Sequence, residues 1–272
     1  MAASATIDHD RLAERLELAW TTRTPIAPLS ETDGLHDPAD AYRVQQHWTE
    51  RRIAAGDRIV GRKIGLTSAA VQQQMGVDTP DFGTLWGSRR CPVVDGHASG
   101  PTAAFLQPRA EGELAFLIGD RPPSGSLVEA HDVLAATVAV APAIEIVDSR
   151  IADWRITLAD TIADNASYGA FALGEWSEEL AHEPLGEIEM RLAEDGTQVS
   201  SGIGANALGH PAQSVAWLAN TLKSFGVALE PGDIVLSGAL GPLVPVVAGC
   251  EYTLHISGQE PLTIAFTEER YR

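Results

Sequence analysis

Apolar and polar residues repeat with a helical period at the start of the chain and alternate later. Leu12, Leu16 and Ala19 fall on one face of a helix. After a turn, DPADAYRVQQHWTERRIAAG predicts a second helix with Asp37 as N-cap, Pro38 in the first position and Gly56 as the stop. From Arg58 the texture becomes short β-rich runs: RIVGRKIGL, ELAFLIG, AIEIV, EIEMRLA, DIVLSG, YTLHIS and LTIAF, punctuated by Gly, Pro, Asp and Asn. Two helices interrupt them. SLVEAHDVLAATV offers Ser126 and Glu129 at capping-box spacing. HPAQSVAWLANTLKSFG carries Pro211 at its start, a stripe of Val215, Leu218, Leu222 and Phe225, and Gly226 at its end. Strands and helices do not alternate regularly, which argues against a Rossmann fold or an α/β barrel. The pattern predicts an α+β protein built on a mixed, curled β-sheet, with a helical region over 1–60 and the β-rich body over 61–272.

Composition narrows the function. The chain has 272 residues, 44% hydrophobic and 21% charged, with a net charge of −18. No basic stripe exists to meet a phosphate backbone, so nucleic acid is excluded as a partner. An acidic surface also repels anionic substrates, so an anion site needs local positive charge from a metal or a lysine. Cys91 and Cys250 are the only cysteines, too few for a disulfide framework or a CxxC metal pair. The first twenty residues are charged and lack a signal peptide's apolar stretch. The uncharged run from Ile234 to Cys250 is broken by Gly238, Gly241, Pro242, Pro245 and Gly249, and reads as strand, turn and strand instead of a membrane span. A cytoplasmic protein with no membrane partner is expected.

The candidate chemistry lies in RAEGELAFL, 109–117. On a strand, Glu111 and Glu113 point the same way with Gly112 between them. Two like charges on one half-buried face repel, and each costs several kcal/mol to desolvate. For a bare ExE pattern, a solvent-facing edge strand is the commoner explanation. Glu145, flanked by Ile144 and Ile146, is a third costly acid, and one hard divalent cation would account for all three. DTIADNASYG, 160–169, is the other dense polar segment, readable as a capped turn. In GRKIGLTS, Lys63 and Ile64 face opposite ways by alternation. Lys63 is then either a solvated surface residue or, near a metal, a group that stabilises an enolate or shuttles a proton.

Taken together, TPIAPLS, DAYRVQ, GRKIGLTSAAVQQQMGVDTPDFGTL, LQPRAEGELAFL, PAIEIVDSRIADW, DTIADNAS, SSGIGANALGHP, AWLAN and GDIVLSGALGP resemble the 2-keto-4-pentenoate hydratases of the fumarylacetoacetate hydrolase superfamily. The resemblance implies the superfamily's mixed β-roll, usually assembled into homo-oligomers. It implies Glu111, Glu113 and Glu145 as ligands of Mg²⁺ or Mn²⁺, and Lys63 as the active-site lysine. Asp81 in TPDFG would take part in proton transfer, and Ser167 and Ser237 would border the substrate pocket. The superfamily's C–C hydrolases resemble GxNYxxH at the stretch that here reads GRKIGLT: Lys63 replaces the asparagine, and Thr67 stands where the histidine would be. Thr157 also stands where those hydrolases carry a lysine. These departures imply the lyase branch.

The implied substrate is a small anionic 2-hydroxy-dienoate such as 2-hydroxypenta-2,4-dienoate, hydrated to 4-hydroxy-2-oxopentanoate in aromatic catabolism. The rival is a 4-oxalocrotonate decarboxylase, which shares the fold, metal site and lysine, although VQQQMGVDTPDFGTL and SGALGP are nearer the hydratase pattern. A hydratase of a longer 2-hydroxy-dienoate is another alternative. A non-catalytic partner subunit is expected to tolerate loss of a ligand or of Lys63, and none is lost.

Overall fold

A computed structural model describes residues 7–68, 72, 77 and 79–268. Helix α1 (His9–Thr22) begins where Asp8 accepts from the Arg11 N–H at 3.1 Å, and ends where Arg23 turns left-handed. It buries Leu12, Ala13, Leu16, Ala19 and Trp20. A short α2 (Leu29–Thr32) leads to α3 (Pro38–Ala54), capped by Asp37 through the Ala39 N–H at 2.8 Å, as the sequence predicts.

Thirteen strands, counted among the described residues, form two sheets. The first joins β1 (Ile59–Gly65), β2 (Asp81–Trp86), β5 (Arg109–Ile118), β6 (Thr137–Val147), β7 (Tyr168–Leu173) and β10 (Ile234–Leu236) in the order β2-β1-β10-β5-β6-β7. The short β11 (Val244–Pro245) also pairs with β5. Only β1 with β10 is parallel, so the sheet is mixed, and register shifts in the β1–β2, β5–β6 and β6–β7 ladders bend it. The second sheet runs β3 (Val93–Val94), β4 (His97–Pro101), β13 (Leu262–Thr267), β12 (Glu251–Ile256), β8 (Glu189–Glu194), β9 (Thr197–Ile203).

Alternation along the first sheet divides the core in two. Ile64, Leu114, Phe116, Ile144 and Val235 pack on the second sheet through Met190, Leu192, Leu254 and Ile264, together with helix α6 (Pro211–Ser224). Leu85, Ala115, Ala143, Phe171 and Leu236 point the other way, onto Leu12, Leu16, Trp20, Val44 and Trp48 of the N-terminal helices. Glu111, Glu113 and Glu145 are in phase with Ala115 and Ala143, so they lie on the helix-covered side. Gly112 faces the second sheet, where a Cβ would come within 2.5 Å of Leu254. The residue between the two glutamates is therefore small because the sheets meet there.

Two local expectations shift. Helix α4 covers only Ala130–Ala136, and its capping box is Glu129 with Asp132, whose carboxylate accepts from the Glu129 N–H at 2.9 Å. The cap moves because Asn220 of α6 ties up the Val128 backbone, accepting from its N–H and donating to its C=O at 2.9 and 2.8 Å. The run then passes directly into β6, whose eleven residues unite Thr137 with the AIEIV segment. Phe225 caps α6 at 44% exposure, edge-on to Tyr42 and Phe82, instead of completing the buried stripe.

Candidate active site around a carboxylate cluster

The β5–β6 register sets Glu111 directly opposite Glu145, with Glu113 two residues along the same face. One oxygen from each of the three falls within 4.8 Å of the others. β5 is an inner strand, so the solvent-facing explanation fails: Glu111 is 6% exposed, and Glu113 and Glu145 are fully buried. Beside the glutamates, the chain between β10 and β11 leaves the ladder as a loop that still bonds β5. The Ser237 and Leu240 N–H groups donate to the Leu114 and Gly112 carbonyls at 3.0 Å each. The loop's Gly238 N–H donates to Glu113 Oε2 at 2.8 Å. Gly238 has φ 97°, and a Cβ there would approach the Thr67 side chain to 2.4 Å.

Among the described residues, Glu113 Oε1 and Glu145 Oε2 have no hydrogen-bond partner. Burial pushes all three carboxyls up: Glu111 above its usual range, Glu113 well above it, and Glu145 to about 7. For Glu113 the charges of Glu145 and Glu111 add to the effect of burial. Desolvated carboxyls with converging unpaired oxygens, which a cation would hold ionised, are the donor set that a hard divalent metal requires, so the residues present fit Mg²⁺ or Mn²⁺.

Lys63 on β1 is 2% exposed, which removes the surface alternative. Its Nζ lies 3.1 Å from Glu145 Oε1 and donates to the Ala166 carbonyl at 2.9 Å. Burial alone would favour the neutral amine. Glu145, Glu111, Asp81 and Glu113 outweigh it and raise the pKa, so Lys63 is a buried cation. Asp81 on β2 stands opposite Gly65, and a Cβ on Gly65 would sit 2.2 Å from Asp81 Oδ1. Asp81 Oδ2 accepts from the Thr161 hydroxyl at 3.1 Å, while Oδ1 has no partner among the described residues. Burial raises the Asp81 pKa against the opposing pull of Lys63.

Ser167 follows helix α5 (Leu158–Ala163), which Thr157 caps through the Asp160 N–H at 3.3 Å. The Ser167 hydroxyl is buried with no partner among the described residues. Ser237 is fully buried, but its hydroxyl meets only the Gly238 carbonyl, at 3.5 Å, and the next amide is what reaches Glu113. Lys63, Asp81 and the three glutamates thus converge, Ser167 follows the Ala166 whose carbonyl accepts from Lys63, and Ser237 contributes backbone. The stretches 69–71, 73–76 and residue 78, which carry part of the VQQQMGVD resemblance, lie outside the described residues.

Sequence reasoning passed over several positions. Gln45 of α3 donates to the Phe82 and Ile162 carbonyls at 2.9 and 2.8 Å, strapping the helical roof to the elements that carry Asp81 and Thr161. Asn165 bonds Thr84, far away in the chain, and Gly83 lets that loop approach, since a Cβ would meet the Asn165 carbonyl at 2.5 Å. No local pattern signals these pairings.

The family model described as "Fumarylacetoacetate (FAA) hydrolase C-terminal" matches residues 65–265. The chain belongs to this family. Among fumarylacetoacetate hydrolase-family relatives, it is 44% identical over 256 residues to a 2-hydroxyhexa-2,4-dienoate hydratase of Comamonas testosteroni, covering 94% of this chain and 96% of the relative. It is also 44% identical over 257 residues to a 2-keto-4-pentenoate hydratase of Burkholderia vietnamiensis, covering 94% and 97%. A solved 4-oxalocrotonate decarboxylase from Pseudomonas putida G7, complexed with magnesium and adipate, superposes with a TM-score of 0.89 at 32% identity, covering 95% of this chain and 97% of that one. The mixed sheets described above are this family's fold in the present chain, and the N-terminal helices precede the matched range.

Proposed function

We propose that the protein is a divalent-metal-dependent hydratase that converts 2-hydroxypenta-2,4-dienoate to 4-hydroxy-2-oxopentanoate. The carrying observation is the buried cluster of Glu111, Glu113 and Glu145 with its unpaired oxygens, set beside the charged Lys63. Those glutamates would hold Mg²⁺ or Mn²⁺. When bound, the ion would offset the repulsion between an acidic protein and an anionic substrate, and polarise the substrate's 2-oxygen.

The chain's own residues supply the rest. Lys63 places a fixed positive charge where negative charge develops on the 2-oxygen, with no reorganisation needed during reaction. Asp81, held toward its protonated form by burial, gives a proton to the far end of the diene at C5, and the proton that the 2-hydroxyl loses returns to Asp81 through solvent. The resulting α,β-unsaturated 2-oxo acid is electrophilic at C4, where water adds its hydroxyl, with the second proton going to C3. Ser167 borders the substrate, and the helical roof strapped by Gln45 excludes bulk water from this face of the sheet. A homo-oligomer in the cytoplasm, with no nucleic-acid or membrane partner, completes the reading.

The decarboxylase alternative draws on the 0.89 superposition, but identity is 32% there against 44% to the named hydratases. The Comamonas relative's name supports a six-carbon dienoate as the next substrate to try. Incubation with 2-hydroxypenta-2,4-dienoate, 2-hydroxyhexa-2,4-dienoate and 4-oxalocrotonate, with product identification, separates the readings. Hydroxy-oxo acid from a monocarboxylic dienoate is expected. Release of CO2 from 4-oxalocrotonate without hydration of either dienoate would assign the decarboxylase.

A further inference from the structure

The amine of Lys63 is held from one side by Glu145 and from the other by the Ala166 carbonyl. That carbonyl belongs to an unusual loop. Asn165, Ala166 and Ser167 all adopt left-handed backbone, with φ of 55°, 51° and 52°. Three consecutive left-handed residues with a Cβ persist only where the surroundings over-determine them.

The restraints are visible at both ends and in the middle. Arg150, 1% exposed, clamps the ends: its Nε donates to Asp164 Oδ1 at 2.5 Å, and its guanidinium also donates to the carbonyls of Asp148, Asp164 and Tyr168. The Ser167 carbonyl accepts from the Asp148 N–H at 2.7 Å. The middle is pinned by one side chain. Asn165 Oδ1 accepts from the Thr84 N–H at 2.7 Å, and Nδ2 donates to the Thr84 carbonyl at 2.9 Å. Thr84 is the neighbour of Gly83, which pairs with Lys63 itself. The pin therefore fixes the loop to the same strand pair that carries the lysine.

We propose that Asn165 is a positioning residue for Lys63, fixing the Ala166 carbonyl so that the ammonium is aimed across the glutamate cluster. Its catalytic consequence rests on the hydratase reading, whereas the placement of the amine does not. Asn165 is fully buried and touches none of the three glutamates through its hydrogen bonds, so its influence runs through the loop.

Lys63 and Lys223 are the only lysines in the sequence, which makes the amine directly observable. Protein labelled with [¹³Cε]lysine should give two signals, and Lys63→Met identifies the one from Lys63. Asn165→Gly removes the pin while suiting the left-handed backbone. It should shift or broaden the Lys63 signal, leave that of Lys223 in place, and keep Mn²⁺ affinity within about twofold. Loss of alignment should lower kcat roughly 10–100-fold with little change in KM. In a Lys63→Met background the same substitution should cost nothing further. Asn165→Ala removes the same two bonds to Thr84, so it should move the Lys63 signal as well, and it serves if the glycine variant does not fold. An unmoved Lys63 signal in the folded variant, or losses that multiply with Lys63→Met, would overturn the proposal. Wild-type protein that hydrates no dienoate would overturn the hydratase reading alone, because the Lys63 signal still reports on Asn165.

Discussion

Without a metal ion, Glu145 should destabilise the fold at neutral pH and above. Its carboxyl is fully buried, and Oε2 has no hydrogen-bond donor among the described residues. Burial first, opposed by Lys63 and reinforced by Glu111, lifts its pKa from 4.5 to about 7. That displacement corresponds to about 3 kcal/mol. The folded protein holds this proton more tightly than the unfolded chain, so its contribution to stability falls as pH rises from about 4.5 to about 7. Glu145→Gln mimics the neutral carboxyl and escapes the loss. In chelator-treated protein at pH 8 the variant should be the more stable by about 3 kcal/mol, and the gap should close toward pH 4.5. Urea unfolding followed by fluorescence of the six tryptophans measures this. Adding Mn²⁺ at about a thousandfold excess over Kd should reverse the order, since the ion then stabilises only the protein that binds it, by about 4.1 kcal/mol. A metal-free variant no more stable than wild type at pH 8 would refute the electrostatic reasoning.

Lys63→Met, which keeps much of the stem's packing, should lower turnover about 10²–10³-fold while Mn²⁺ binding measured by calorimetry is retained. Gly238→Ala forces a Cβ onto Thr67 at φ 97° and should destabilise the protein by roughly 1–3 kcal/mol. It should also weaken Mn²⁺ binding, because the Gly238 N–H that orients Glu113 is displaced. Light scattering should give a particle heavier than the 28.9 kDa chain at micromolar concentration, and a stable monomer would contradict the expected assembly.

Much of the site was legible because two strand properties are local. A two-residue spacing puts Glu111 and Glu113 on one face, and an acid between two isoleucines marks Glu145 as costly without a partner. The Asp37–Pro38 cap and the Pro211-to-Gly226 helix were legible for the same reason: their signals lie within one turn of the boundary. Lys63 was not decided, because alternation gives two faces without saying what covers each. The N-terminal helices cover its side, and that follows from packing among distant segments. The α4 cap moved for a similar reason, with Asn220 overriding the Ser126 signal from across the core. Asn165, Gly83 and Gln45 escaped notice because their partners are far along the chain.

The central claim joins one ion, three glutamates and hydration. Chelator-treated protein titrated with Mn²⁺ should bind one ion per chain, read as loss of the free-ion electron paramagnetic resonance signal. Hydration of 2-hydroxypenta-2,4-dienoate in the same samples should rise in proportion to the bound ion. The Glu111→Ala/Glu113→Ala variant should do neither. Full hydration by that variant without metal would contradict the account.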